Sequence, residues 1–160
     1  MKPRRGVRAR EPAAGYLPDA FVVDCSACLP WYIEDEASEF CNQLAHALPT
    51  STVWVPVLWR MEFSNALINA ERRKRMTRER RCAVLAHVDQ LPLRVDGEHP
   101  SLSQLSEIAD AHALTAYDAV YLELAARRKL PLATLDAALV KAARMARLAV
   151  LTDFARYPEK

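Results

Sequence analysis

Thr115-Ala116-Tyr117-Asp118-Ala119-Val120-Tyr121-Leu122-Glu123-Leu124-Ala125, followed by Leu130-Pro131-Leu132-Ala133-Thr134-Leu135-Asp136, is the stretch on which the fold turns. Its first four residues fit a capping box and open a helix from Thr115 to Arg128. Leu132 to Thr134 is a short strand, and Asp136 is a good N-cap for a further helix, Asp136 to Met145. Helix, strand and helix in immediate succession make one step of an α/β winding, and the alternation extends both ways along the chain. Upstream, Phe21-Val22-Val23 is a short apolar run ending in Asp24, and Glu36 to His46 has helical spacing through Phe40, Leu44 and Leu48. Thr52 to Val55 is β-branched and aromatic, Pro56 stands where a helix can begin, and Met61 to Ala70 continues that helix. Thr77 caps another helix reaching about Gln90, Leu91 to Val95 is a short strand, and Ser101 to Ala111 is a helix. Downstream, Leu148 to Leu151 is the last strand. Short strands alternating with helices of this length predict an α/β domain built on a parallel sheet.

The acids fall at the junctions. Asp24 ends the first strand, Glu62 lies near the start of the helix after the second, Asp118 is in the first turn of its helix, and Asp136 follows the strand at Leu132 to Thr134. In a right-handed βαβ unit, strand C-termini and the N-termini of crossover helices share one edge of the sheet, so the topology gathers all four. Carboxylates crowded in one cleft repel one another, and a divalent cation compensates them. Hard oxygen ligands suit Mg²⁺ or Mn²⁺, which leave positions for a phosphate oxygen and a water, the apparatus of metal-assisted phosphodiester hydrolysis. Each acid also has a plainer account: caps at Asp118 and Asp136, a helix-dipole contact for Glu62 in a first turn, a turn at Asp24.

At 160 residues and 18.0 kDa the chain fits one domain. It is 51% hydrophobic and 26% charged. No apolar run approaches the ~20 residues of a membrane-spanning helix, so no membrane role is expected. Pro3, Pro12 and Pro18 interrupt the basic start before any signal-peptide core develops, and a cytoplasmic protein is expected. Gly6, Gly15 and Gly97 are too few and too scattered to write a glycine-rich phosphate loop. Residues 1–20, rich in Pro, Gly and Arg, read as a flexible N-terminal tail, and residues 21–160 as the folded domain. The net charge of +2 names no partner, but the basic residues are uneven. Arg72, Arg73, Lys74, Arg75, Arg78, Arg80 and Arg81 are diluted only by Glu71 and Glu79. Such a run is either a solvated helical face laced with salt pairs or, beside a phosphodiester site, a surface that holds RNA, with Arg72, Arg73, Lys74 and Arg75 as the candidates. Arg127, Arg128, Lys129, Lys141, Arg144 and Arg147 add positive surface.

Rival signals are present. Cys25, Cys28, Cys41 and His46 are spaced C-x2-C-x12-C-x4-H, close to a zinc-finger pattern. Cys25 directly follows an apolar strand, however, and Cys41 and His46 point about 140° apart on a helix that turns ~100° per residue. Buried free thiols account for Cys25 and Cys28, and helix packing for Cys82. His46, His87, His99 and His112 show no spacing that suggests a ligand set or a nucleophile–base pair. Trp54, Trp59, Met61 and Phe63 are expected to pack the second strand and its helix, while Trp31, Tyr32, Trp59 and Phe63 are candidates to line an apolar groove for a protein partner.

Phe21-Val22-Val23-Asp24-Cys25-Ser26, Trp59-Arg60-Met61-Glu62-Phe63-Ser64-Asn65-Ala66-Leu67 and the two stretches quoted first resemble the PIN-domain ribonucleases. More closely they resemble the VapC toxins of bacterial type II toxin–antitoxin modules, in order and spacing from about residue 21 to residue 155. Tyr117-Asp118-Ala119 together with Ala133-Thr134-Leu135-Asp136 is the specific part. The resemblance implies a three-layer α/β fold with a central, mostly parallel sheet flanked by helices, a homodimer, a cognate antitoxin, and endonucleolytic cleavage of RNA dependent on Mg²⁺ or Mn²⁺. It implies that Asp24, Glu62, Asp118 and Asp136 are catalytic acids holding the metal, with Thr134 as the hydroxyl beside the last acid and Ser26 and Asn65 as polar neighbours. Asp153, just past the last strand, is a candidate fifth acid. The chain departs from the pattern at Cys25, where a small residue, commonly alanine, is usual, and at Ala137, where some relatives carry a polar or acidic residue that would help a second metal. Two other readings stand beside the ribonuclease: a catalytically weak RNA- or protein-binding module on the same fold, and a zinc-binding interaction domain.

Overall fold

The computed structural model describes residues 18–33 and 38–152. Most of the expected tail, the expected helix start at Glu36, and Asp153 lie outside the described residues. The described strands are β1 (Ala20–Val23), β2 (Thr52–Pro56), β3 (Leu93–Asp96), β4 (Leu132–Ala133) and β5 (Val150–Leu151). All pair in parallel, in the order β3-β2-β1-β4-β5. The described helices are α1 (Cys25–Cys28), α2 (Glu39–Ala47), α3 (Leu58–Arg72), α4 (Arg78–Val88), α5 (Leu102–His112), α6 (Ala116–Arg128) and α7 (Ala137–Met145), with a 3-10 turn at Leu29–Trp31. Successive strand residues point to opposite faces, and Phe21, Val22 and Val23 are all buried, so both faces of the sheet are covered. The cover comes from Leu44 of α2, Trp59, Phe63 and Leu67 of α3, Leu122 and Leu124 of α6, and Leu139 and Val140 of α7. This is the expected three-layer α/β arrangement. Among the described residues no helix is long and apolar enough to cross a membrane.

Winding runs outward from β1 through β2 to β3, then returns to the other side of β1 at β4. The strand order therefore reverses between β1 and β4, and the carboxyl ends flanking such a reversal are where open α/β sheets place their ligands. Register brings those two ends level: Val23 pairs with Ala133, and the Asp24 amide donates to the Ala133 carbonyl at 3.0 Å.

Several local expectations shift. Pro56 stays in β2 opposite Asp96, and α3 starts at Leu58, so Glu62 lies beyond the first turn of its helix. Met61 is 60% exposed rather than packed on the sheet, because ~100° per residue turns it almost directly away from the face carrying Trp59 and Phe63. Cys82 is exposed too, the inward residue of α4 being Val84. α2 begins at Glu39 with Ser38 as its N-cap, later than the expected start at Glu36, while the other helix starts follow the sequence closely; Ser38, Thr77, Ser101, Thr115 and Asp136 each accept a backbone N–H of the first turn.

Candidate active site

Asp24, at the end of β1, is 8% exposed and takes two hydroxyl hydrogen bonds on one oxygen. Ser26 Oγ donates to its Oδ2 at 2.5 Å and Thr134 Oγ1 donates to the same atom at 2.6 Å. Thr134 Oγ1 also accepts from the Asp136 amide at 3.0 Å, and Ser26 Oγ from the Leu135 amide at 2.9 Å. Two hydroxyls thus join the ends of β1 and β4 to the start of α7. Burial pushes the Asp24 carboxyl above its ordinary range; the Ser26 and Thr134 hydroxyls oppose that rise, and the charge of Asp136 adds to it. Asp136 itself is exposed and caps α7, its Oδ1 accepting from the Leu139 amide at 2.8 Å.

Glu62 faces the cluster from α3. It is half-buried, and the Tyr121 hydroxyl of α6 donates to its Oε2. Burial again raises the carboxyl, the phenol draws it down, and the charges of Asp24 and Asp118 push it up. Asp118, in the first turn of α6, donates its amide to Thr115 Oγ1 at 3.1 Å, while the Thr115 hydroxyl donates to Asp118 Oδ2 at 2.7 Å. The expected capping box has one altered arm: the carboxylate accepts from the hydroxyl, where the motif would have it accept from the Thr115 amide. Asn65 is exposed one turn beyond Glu62.

The structure therefore brings Asp24, Glu62, Asp118, Asp136, Ser26 and Thr134 to one end of the sheet. Among the described residues no three His, Cys, Asp or Glu side chains already close on a single metal position. The donors are nonetheless all oxygen, and the charges acting on Asp24 and Glu62 are those of other acids. A hard divalent cation satisfies that chemistry.

Tyr121, not among the residues expected at the site, is buried and also places its hydroxyl 3.8 Å from the Cys25 sulfur. Burial and the neighbouring Cys25 and Glu62 push its phenol far above the ordinary range, so it stays a donor. Its signal was spacing: three residues after Asp118 is the adjacent position one turn along a helix face.

The family model for the PIN domain matches residues 21–145. The chain belongs to the PIN domain family. PIN domains are generally nucleases that use divalent metal ions. No curated protein sequence matches the chain. Among solved structures, PAE2754 from Pyrobaculum aerophilum is similar at a TM-score of 0.61 and 23% identity, covering 83% of this chain and 88% of that one. FitAcB from Neisseria gonorrhoeae matches at 0.60 and 15%, covering 82% and 96%. VapBC2 from Rickettsia felis, solved bound to a DNA fragment from its promoter, matches at 0.57 and 11%, covering 84% and 98%. At these identities the likeness is one of fold.

This PIN domain carries Arg72, Arg73, Lys74 and Arg75 exposed at the end of α3 and in the turn that follows it, while Arg81 is bonded to Glu71. Arg127 and Arg128, expected to add positive surface, also form a junction. Asp96, 3% exposed at the end of β3, accepts from Arg128 on Oδ1 at 2.8 Å and from Arg127 on Oδ2. Arg127 also reaches Glu123 at 2.8 Å and Glu98 at 3.0 Å, and the Arg128 guanidinium lies 3.5 Å over the Trp54 ring. Burial opposes ionisation of Asp96, but hydrogen bonds from Arg128 and Arg127 prevail and hold its carboxyl below the usual range. The zinc spacing is not assembled: Cys25, Cys28 and Cys41 are buried, whereas His46 is exposed with its ring against the Asn42 carbonyl at 2.7 Å. Trp59 and Phe63 stack at 4.8 Å within the core, leaving Trp31 and Tyr32 only partly covered. A largely apolar cavity of about 250 Å³ opens where Trp59 and Phe63 of α3 meet Leu85 and Val88 of α4 and Leu93 and Val95 of β3, with Arg60, Ser64 and Asp89 also in its lining.

Proposed function

We propose that this PIN domain is a metal-dependent endoribonuclease and the toxin component of a type II toxin–antitoxin module. The observation that carries this reading is the meeting of Asp24, Glu62, Asp118 and Asp136 at the reversal point of the sheet, where burial and mutual repulsion raise the carboxyls of Asp24 and Glu62. Mg²⁺ or Mn²⁺ held by those four residues relieves both costs, and the donors fit: the two hydroxyls occupy Oδ2 of Asp24 and leave Oδ1 out of their bonds. A bound ion supplies Lewis-acid stabilisation of the charge that builds on a phosphodiester under attack by water. The chain's own residues organise the site around it. Ser26 and Thr134 set the Asp24 carboxylate, Thr134 couples it to the turn bearing Asp136, and Asn65 offers a polar contact beside Glu62. Arg72, Arg73, Lys74 and Arg75 hold the RNA backbone through phosphate contacts.

VapBC2 and FitAcB, two of the similar structures, are toxin–antitoxin proteins, which favours an antitoxin partner here. The largely apolar cavity between α3, α4 and β3 offers that partner a place to bury side chains, and a homodimer acting on cytoplasmic RNA completes the proposal. The test is cleavage of total cellular RNA by the purified protein with Mg²⁺, with Mn²⁺ and with EDTA, beside Asp118→Asn. Metal-dependent cuts that vanish in the variant are expected. No cutting under either metal, by protein freed of any co-purifying antitoxin, would overturn the nuclease and favour a binding module on the same fold.

A further inference from the structure

Glu62 differs from the other acids of the cluster in what holds it. Asp24 is set by hydroxyls from its own and the adjoining strand end, and Asp118 and Asp136 are engaged by the first turns of their own helices. Glu62, on a longer side chain and beyond the first turn of α3, is reached from a different element by the buried phenol of Tyr121. The Cys25 thiol donates to the Trp59 carbonyl at 3.4 Å, so its sulfur meets the phenol as an acceptor. Tyr121 has a single proton and two candidate acceptors, the Cys25 sulfur at 3.8 Å and Glu62 Oε2, and the charged oxygen takes it.

We propose that Tyr121 is a positioning residue of the nuclease site: its hydroxyl ties Glu62 Oε2 and leaves Oε1 as the oxygen through which Glu62 meets a divalent cation. The inference rests on the function proposed above and names a residue that acts through Glu62, not on substrate. A hydrogen bond to a metal-ligating carboxylate fixes its rotamer and strengthens it as a ligand, and losing such a partner lowers metal affinity by about 10- to 100-fold. A bond that merely braced α6 against α3 would lower the melting temperature and leave metal affinity untouched.

The experiment is Mn²⁺ binding, followed by the loss of the free-ion paramagnetic resonance signal, on the full chain and on Tyr121→Phe, Glu62→Gln and the double variant, with melting temperatures for each. Tyr121→Phe is expected to bind Mn²⁺ at least about 10-fold more weakly than the parent. In the Glu62→Gln background the same substitution is expected to add little, because its target carboxylate is already gone. Equal Mn²⁺ affinity in parent and Tyr121→Phe would overturn the inference while leaving the metal site standing, and so would a Tyr121→Phe loss undiminished in Glu62→Gln. A parent chain that binds no Mn²⁺ would overturn the metal-dependent function and this inference together. Should Tyr121→Phe fold poorly, Cys25→Ala with Tyr121 intact gives the second reading: it loosens the same packing but keeps the phenol on Glu62, so unchanged Mn²⁺ affinity is expected and a 10-fold loss would refute the assignment.

Discussion

Thr134→Val isolates one hydroxyl at the centre of the cluster. Thr134 is 0% exposed, and valine is close to its shape, so the substitution removes hydrogen bonding with little change of volume. Two bonds go: the 2.6 Å donation to Asp24 Oδ2 and the acceptance of the Asp136 amide at 3.0 Å. A hydrogen bond to a charged partner contributes about 1.5–3 kcal/mol. The Asp136 amide adds little, because that residue is exposed and water can replace the lost acceptor. The new buried methyl offsets a fraction, so the net loss is about 2 kcal/mol. For a domain of this size each kcal/mol moves the melting temperature by about 2–4 °C, which predicts a fall of about 4–8 °C in metal-free protein at pH 7. Thr134→Ser keeps the hydroxyl and deletes only the methyl, at about 1 kcal/mol. Thermal and urea melts of the three proteins decide the matter, repeated below the ordinary carboxyl range, where a neutral hydrogen bond leaves a difference nearer 1 kcal/mol. A valine variant that melts with the parent at pH 7, or a serine variant as damaged as the valine, would refute the assignment of the Asp24 contact to the hydroxyl.

The other expectations follow from charge. The folded-state carboxyl of Asp24 lies above its ordinary value of 3.8, so the stability it contributes is present below that value and lost as pH rises through the raised one. Asp24→Asn, which never ionises, should therefore make the metal-free protein more heat-stable at pH 7, with the advantage shrinking toward pH 4, while abolishing cleavage; a less stable variant at pH 7 contradicts the burial account. Replacing Arg72, Arg73 and Arg75 by Ala should weaken RNA binding and flatten the log–log salt dependence by up to about 2, and an unchanged slope removes that patch from the mechanism. Asp96→Asn should cost about 2–3 kcal/mol in urea melts, discounted from the value of a fully buried pair because Arg127 and Arg128 remain 29% and 26% exposed, with the cleavage rate unaffected.

Local chemistry was legible where it is decided by neighbours in sequence. Thr77, Ser101, Thr115 and Asp136 announce helices because capping bonds span three residues, and Phe21-Val22-Val23 announces a strand buried on both faces because all three residues are apolar. Strand order is not written that way. The sequence predicts a parallel sheet but carries no mark that β4 returns to β1 when it could have continued beyond β3. The Asp96 junction was invisible for the same reason, since its arginines lie 31 and 32 positions away and look like any basic pair at a helix end. Met61 and Cys82 were misplaced because an apolar residue type says nothing of where it points; only the 3.6-residue turn does.

Capping accounts for two of the four acids and not for the other two. Asp136 Oδ1 accepts from the Leu139 amide and Asp118 Oδ2 from the Thr115 hydroxyl, each with a second carboxylate oxygen outside that bond. Asp136 stands at the β4-to-α7 junction and Asp118 in the first turn of α6, which follows α5, and both are helix starts that carry acids for structural reasons alone. Asp24 and Glu62 have lost that account. Asp24 occupies the N-cap of α1 without a side-chain capping bond, and Glu62 lies beyond the first turn of α3, where the helix dipole no longer favours it. These same two carboxyls are the ones that burial raises, so folding gains nothing from their charge in the absence of a counter-ion. Acids that oppose the stability of their own fold, at the one point where the sheet reverses its winding, are not explained by capping, and the divalent cation proposed for this site would offset their cost.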